Sequence, residues 1–158
     1  MKKQATWIQS AYKTTSVHWA KTQSQIMVML EQVGIDEVRF TSLTDRFVLE
    51  FMAKLDENSV PRAVRIVIPL QTKPSDNPEP RNKELNIINR ILLNHLKAKF
   101  VAIGNGLTEF EQEFMSHLVI TDKAGQSSTM GEMLLPQYEK NLEDKTTPKF
   151  LLGDGEKE

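Results

Sequence analysis

Residues 47–55 carry Phe47, Leu49, Phe51, Ala53 and Leu55 on alternate positions, with Val48, Glu50, Met52 and Lys54 between them. A period of two puts the first set on one face of a β-strand and the second on the other. Nothing constrains the chain more, because such a strand needs pairing partners along its edges, and the sequence supplies them at hairpin distance. Before it, Val38 and Phe40 sit two apart, and Leu43-Thr44-Asp45-Arg46 is a short link. After it, Asp56-Glu57-Asn58-Ser59 makes a turn. Val64, Ile66 and Ile68 then alternate with Arg65 and Val67 until Pro69 closes the run. The spacing predicts a three-stranded antiparallel meander over residues 37–69. Val48, Met52 and Val67 leave its far face partly apolar, so that face is expected to be covered by a second subunit or a terminal segment.

Helical patterns flank the meander. Thr14, Thr15 and Ser16 offer N-caps. Trp19, Ile26, Leu30 and Val33 recur at helical spacing, with Met27 alongside, and Gly34 stops the run. This predicts a helix over 16–33. Residues 71–82 hold Pro74, Pro78 and Pro80 among Ser, Asp and Asn, the composition of an exposed, weakly ordered loop. From Arg81 to about Ile103, Leu85, Ile88, Leu92, Leu96 and Ile103 form a stripe that Ile87, Ile91, Ala98 and Ala102 widen. A stripe that broad predicts a helix buried on more than one side.

Thr108-Glu109-Phe110-Glu111 fits a capping box opening a short helix over 109–117. Leu118-Val119-Ile120 reads as a short strand and Asp122–Gly125 as a turn. Thr129 and Glu132 fit a second capping box, opening a helix that Pro136 bends or breaks. The expected fold class is therefore α+β: a three-stranded antiparallel sheet packed against helices in an αβββα core, with a helical C-terminal cap. Residues 1–15 read as an N-terminal arm, 16–148 as one domain and 149–158 as an acidic tail.

A chain of 158 residues can bury a core without a disulfide or metal staple. Zero cysteines exclude thiolate zinc sites, iron–sulfur clusters and thiol catalysis. The basic start at Lys2 and Lys3 has no apolar core behind it, so it does not read as a signal peptide. No apolar run reaches the roughly 20 residues of a membrane helix. A cytoplasmic protein is the expectation. Glycine-rich phosphate loops and the HExxH and GxSxG motifs are absent, and no cofactor is expected.

Net charge is -1, but it is unevenly spread. Residues 81–105 hold Arg81, Lys83, Arg90, Lys97 and Lys99 against Glu84, whereas residues 106–158 hold five lysines against eleven acidic residues. Arg39, Arg46, Arg62 and Arg65 lie on or beside the strands. With Arg90, Lys97 and Lys99 they make a candidate basic surface for DNA or RNA phosphates. The competing reading is that the strand arginines are solvated and paired with Glu50 and Asp45. No aromatic–basic interleaving favours base stacking. Trp7 and Tyr12, in the polar N-terminal arm, are candidates for docking on the body or on a partner.

Catalysis has weaker support. The order of a helix, three strands and a helix invites comparison with metal-dependent nucleases of the restriction-enzyme type, which need an acid followed by Glu-x-Lys on one strand face. Glu50 and Lys54 are four apart, roughly 13 Å along a strand, which is too far for one site. His18, His95 and His117 show no metal-ligand spacing, and Glu109, Glu111 and Glu113 scatter around a helix axis. No catalytic residue, metal ligand or cofactor site is assigned.

One resemblance extends over residues 60–152. It rests on Arg65-Ile66-Val67-Ile68-Pro69, Leu96-Lys97-Ala98-Lys99-Phe100-Val101-Ala102-Ile103, Gly106, Phe110-Glu111-Gln112-Glu113-Phe114, Leu118-Val119-Ile120, Gly131-Glu132 and Leu135-Pro136-Gln137. This pattern resembles small proteins encoded by phages and prophage-like elements. The resemblance implies a mobile-element context and carries no activity. The expected function is a non-catalytic accessory protein that engages nucleic acid or a nucleoprotein complex. The alternatives are a protein–protein adaptor or structural subunit using the aromatic arm and acidic C-terminal third, and, less favoured, the nuclease.

Overall fold

A two-residue turn sets the register of the sheet. Leu43 N–H donates to the Arg46 carbonyl at 2.8 Å, which leaves only Thr44 and Asp45 in the loop. The computed structural model describes residues 11–143. In it β1 (Glu37–Ser42), β2 (Arg46–Ala53) and β3 (Arg62–Pro69) form an antiparallel sheet in the order β1-β2-β3. Thr41 opposes Val48, Arg39 opposes Glu50, and Glu50 in turn opposes Arg65. Phe47, Leu49, Phe51 and Ala53 share the inner face with Val64 and Ile66, and all six are buried.

Two helices cover that face. α1 spans Trp19–Gln32 and buries Thr22, Ile26 and Leu30. It starts three residues later than its sequence suggests, because His18 is the N-cap and accepts from Ala20 N–H at 3.2 Å. Trp19 N–H is taken by Asn86 of the second helix at 2.6 Å, so docking decides where α1 begins. At its other end Gly34 has φ 81°, and Ile35 N–H donates to the Leu30 carbonyl at 2.9 Å. This closure tucks Ile35 into the core and turns the chain into β1.

α2 spans Glu79–Gly104, with Pro80 in its first turn, where the missing N–H is harmless. The chain leading into it is pinned at its start. Glu84 accepts from the Gln71 and Thr72 amides at 2.6 and 3.0 Å, and Arg81 donates to the Thr72 carbonyl. Burial pushes the Glu84 carboxyl up, but these hydrogen bonds and the Arg81 charge outweigh it and hold the group below its ordinary value. The rest of the proline-rich loop is exposed.

The expectation that α2 is buried on more than one side needs correction. Its buried residues are Leu85, Asn89, Leu92 and Leu96, a single stripe. Ile91 and Val101 are exposed. One stripe of α2 rests on the sheet and a flank meets α1, while on the remaining side nothing among the described residues covers Ile91 and Val101.

Past Gly106 the chain turns back to the β3 side of the sheet. α3 (Phe110–Phe114) inserts Phe110 and Phe114, and Phe114 meets Phe51 edge to face at 5.7 Å. Its capping box closes one residue later than expected: Glu109 is the N-cap, and Gln112 accepts its N–H at 3.2 Å. Glu111, the residue the sequence pointed to, is drawn instead to Arg62.

A 3-10 turn at Met115–His117 leads to a second hairpin, β4 (Val119–Thr121) with β5 (Ser127–Thr129). Its loop is held by the Asp122 carboxylate, which accepts from the Ala124 and Gln126 amides, with Gly125 at φ 81°. Leu118 bridges to Val64, so this hairpin continues from the β3 edge. The second strand was not read in the sequence because Gln126-Ser127-Ser128 has no apolar alternation.

α4 (Met130–Glu143) opens with the expected capping box: Thr129 N–H donates to Glu132 at 2.7 Å, and Glu132 N–H donates to the Thr129 hydroxyl at 3.2 Å. Gly131 lies so close to the body that an added Cβ would sit 2.7 Å from the Ser116 carbonyl oxygen. Pro136 does not break the helix, which runs through it to Glu143. Tyr12 lies in a turn closed by Thr15 N–H to the Tyr12 carbonyl, with its side chain exposed. Trp7 and the segment 149–158 lie outside the described residues.

Leu92 is 2% exposed at the centre of the α2 stripe. Leu92→Ala should cost about 2–5 kcal/mol of folding stability, as core truncations do. Urea denaturation measures this, and an unchanged midpoint would show that α2 is not the central helix.

Candidate binding surface on the outer face of the sheet

The strand parity that buries Phe47, Leu49 and Phe51 sends Arg46, Val48, Glu50 and Met52 to the opposite face. Glu37, Arg39 and Thr41 join them from β1, and Ala63, Arg65 and Val67 from β3. The helices α1 and α2 lie on the other side. Among the described residues neither helix covers the outer face, which is bordered by β4, β5 and the first turn of α4.

Glu50 is its electrostatic centre. Arg65 Nε donates to one carboxylate oxygen at 2.8 Å, and Arg39 Nε donates to the other at 2.9 Å. The Glu50 side chain is only 20% exposed, against 72% for Arg39. Burial pushes the Glu50 carboxyl up. The hydrogen bonds from Arg65 and Arg39, with their charges, outweigh that and hold it below its ordinary value.

A hollow lies on each side of this row. One, of about 600 Å³, is bounded by Glu37, Met52, Ala63 and residues of β4 and β5. The other, of about 450 Å³, is bounded by Thr41, Arg46, Val48, Val67 and Glu132. Among the described residues Met52 and Val67 are exposed there, whereas Val48 is buried. No helix among the described residues is long and apolar enough to cross a membrane.

The seven basic candidates do not share this face. Arg39, Arg46 and Arg65 do. Arg46 sits 3.6 Å from Asp45. Arg62 has the parity of Val64 and turns to the helix side, where it lies 3.3 Å from Glu111. Arg90 on α2 donates to Gln25 of α1 at 3.1 Å. Lys99 donates to the Glu113 carboxylate at 2.9 Å and to its carbonyl at 2.7 Å, and lies over the Phe114 ring. Lys97 is exposed on α2. The single basic surface expected from the sequence is thus divided by the thickness of the sheet, and five of its seven members have a carboxylate partner. Sign of charge grouped these residues in the sequence; strand parity separates them.

Two features were missed. His95 and His117, far apart in sequence, come under the influence of Lys99. Burial lowers both histidines, and the Lys99 charge lowers them further. The other feature is α4, where every residue from Glu132 to Glu143 is exposed. Leu134, Leu135, Tyr138 and Leu142 fall within one side of that helix at i, i+4 and i+8 spacing. Glu132, Glu139 and Glu143 lie along one flank of the stripe. The spacing was legible, but the proline in its middle argued against a continuous helix.

Among the described residues no three His, Asp or Glu side chains converge as metal ligands. Glu111 and Glu113 diverge to Arg62 and Lys99, and Lys54 lies past the end of β2. No family model matches the chain, and no curated protein or solved structure does.

A carboxyl lowered in the folded state stabilises the fold fully above its unfolded value, and that stability is lost as pH falls through the folded value. Glu50 makes such a contribution. Glu50→Gln should cost about 1.5–3 kcal/mol near neutral pH, the range for hydrogen bonds to a charged group. Its stability should also fall less steeply than that of the parent as pH drops below about 4.5, the ordinary carboxyl value. Parallel acid titrations of the two proteins would reject this role if they coincide.

Proposed function

We propose that this chain is a non-catalytic accessory binding protein, of the phage and mobile-element kind its sequence resembles, and that it holds a protein partner on α4. The observation carrying this reading is the apolar stripe of Leu134, Leu135, Tyr138 and Leu142 on a helix exposed from Glu132 onward. Among the described residues this stripe is left exposed, and a helix in that state lacks the tertiary packing that ordinarily stabilises helices. Another chain can supply that packing.

The carboxylates specify the partner's chemistry. Glu132, Glu139 and Glu143 flank the stripe, within a C-terminal third holding five lysines and eleven acidic residues. They favour an apolar helix edged with Lys or Arg, which would pair with the acidic flank and be attracted over a distance.

A second reading, nucleic-acid binding, draws on the outer sheet face. There Arg39 and Arg65 share the single carboxylate of Glu50, and Arg46 adds a third guanidinium. The pairing of Arg39 and Arg65, and the carboxylates of Asp45, Glu37 and Glu132 at the rim, place this reading second.

Fluorescence anisotropy separates the two. The probes are a synthetic amphipathic Lys/Leu helix, its Glu/Leu counterpart, and labelled single- and double-stranded oligonucleotides. The Lys/Leu peptide should bind and the Glu/Leu peptide should not. Leu135→Glu or Tyr138→Glu, both at exposed positions, should weaken binding by about tenfold or more with the fold intact. Equal binding of both peptides, or no loss in either variant, would exclude α4. Oligonucleotide binding that weakens with salt by a log–log slope of about −0.9 per duplex phosphate contact, and is lost in Arg46→Glu, would put the sheet-face reading first.

A further inference from the structure

β1 is an edge strand: among the described residues it pairs with β2 alone. The Leu43–Arg46 bond settles which of its backbone groups are used. In an antiparallel pair the residues that exchange hydrogen bonds alternate with those that do not. Leu43 belongs to the first class, and with it Thr41, Arg39 and Glu37. The N–H and C=O groups of Val38, Phe40 and Ser42 therefore point out of the sheet, and no strand among the described residues receives them.

Exposed edges are ordinarily blunted by Pro, by charged side chains and Lys above all, by a bulge or by a covering element; the charges of β1 are one of each sign, Glu37 and Arg39. β1 reads Glu-Val-Arg-Phe-Thr-Ser, with no Pro, no Lys and no break in its register with β2. Val38 and Phe40 are only partly buried against the core. Met27 of α1 is half exposed and lies across that helix from Gln25, the residue that meets Arg90 of α2.

We infer that β1 pairs with β1 of a second copy of this chain, antiparallel across a two-fold axis at Val38, to make a six-stranded sheet. The register follows from charge. In such a dimer residues of equal parity oppose one another on the same face. With Val38 on the axis, Glu37 stands opposite Arg39 of the second copy and Arg39 opposite its Glu37. With Arg39 on the axis the two guanidiniums would oppose, which is destabilising. With Phe40 on the axis Glu37 would face Leu43 and gain no partner.

In the chosen register the alternation Arg65–Glu50–Arg39 continues into Glu37 of the neighbour, so the charged row runs on across the axis. Among the described residues Glu37 makes no ion pair within its own chain. The pairing is a C2 contact in which one patch is its own complement, the commonest form of homo-oligomer. It leaves both the outer face and α4 accessible, so it is independent of the partner assigned to α4.

The absence of native cysteine makes the test direct. Two Val38 Cα atoms on the axis would lie about 5.5 Å apart, within disulfide reach. Val38→Cys should give a covalent dimer under mild oxidation, and Phe40→Cys should not. Sedimentation velocity of the cysteine-free chain should show a monomer–dimer equilibrium that shifts with concentration. Glu37→Arg should move that equilibrium toward monomer by about tenfold or more, since it sets Arg against Arg39. Circular dichroism confirms that the variants fold.

A monomer at every concentration overturns the proposal. Cross-linking through Phe40→Cys rather than Val38→Cys overturns the register and the charge argument with it. A dimer unaffected by Glu37→Arg and not cross-linked through Val38→Cys places the contact elsewhere.

Discussion

The parity of β2 is the constraint on which the rest depends. A slip of one residue in its pairing would exchange Phe47, Leu49 and Phe51 for Val48, Glu50 and Met52 on the helix side. It would drive the Glu50 carboxylate into the core and present three large apolar side chains to water. The Thr44-Asp45 turn prevents that slip on one side. The Leu70 amide, which donates to the Asp45 carbonyl at 2.8 Å, ties the exit of β3 to the same turn. Core, charged row and open edge all follow from this one alignment.

Packing on the inner face converts that alignment into a domain. Ile26 and Leu30 of α1, Leu92 and Leu96 of α2, and Phe114 of α3 close over the buried side chains of β2 and β3. Phe114 meets Phe51, Phe100 and Phe110, and so links sheet, central helix and C-terminal segment. The Lys99 ammonium over its ring caps this cluster while pairing with Glu113. A cation that looked available for phosphate in the sequence is thereby held in an intramolecular role.

The same economy of charge runs across the outer face. Two arginines share one carboxylate there, and the ladder fixes all three side chains at adjacent positions on neighbouring strands. Such a row favours its own register and disfavours alternatives in which like charges meet. It also lowers the free charge that the surface can offer to a polyanion. Among the described residues the apolar side chains left exposed, above all on α4, are then the larger uncompensated feature.

Local periodicity by itself determined the meander, the two flanking helices and the order in which they occur, because strand and helix periods are properties of a few neighbouring residues. It also marked the capping box at Thr129 and Glu132, whose groups lie three positions apart. The pairing of Arg39 and Arg65 with Glu50 was visible as a possibility, through strand neighbours of opposite sign. What only the tertiary structure decided concerns residues remote in sequence. Arg62 is separated from Arg65 by parity and drawn to Glu111; Lys99 is taken up by Glu113; the start of α1 is set by Asn86 of α2. The second hairpin is held by the Asp122 carboxylate and the bridge to Val64 rather than by any apolar alternation of its own. The continuity of α4 through Pro136 and the open edge of β1 belong to the same class. Whether a stripe or an edge is covered depends on what the rest of the chain brings beside it, and no short-range pattern encodes that.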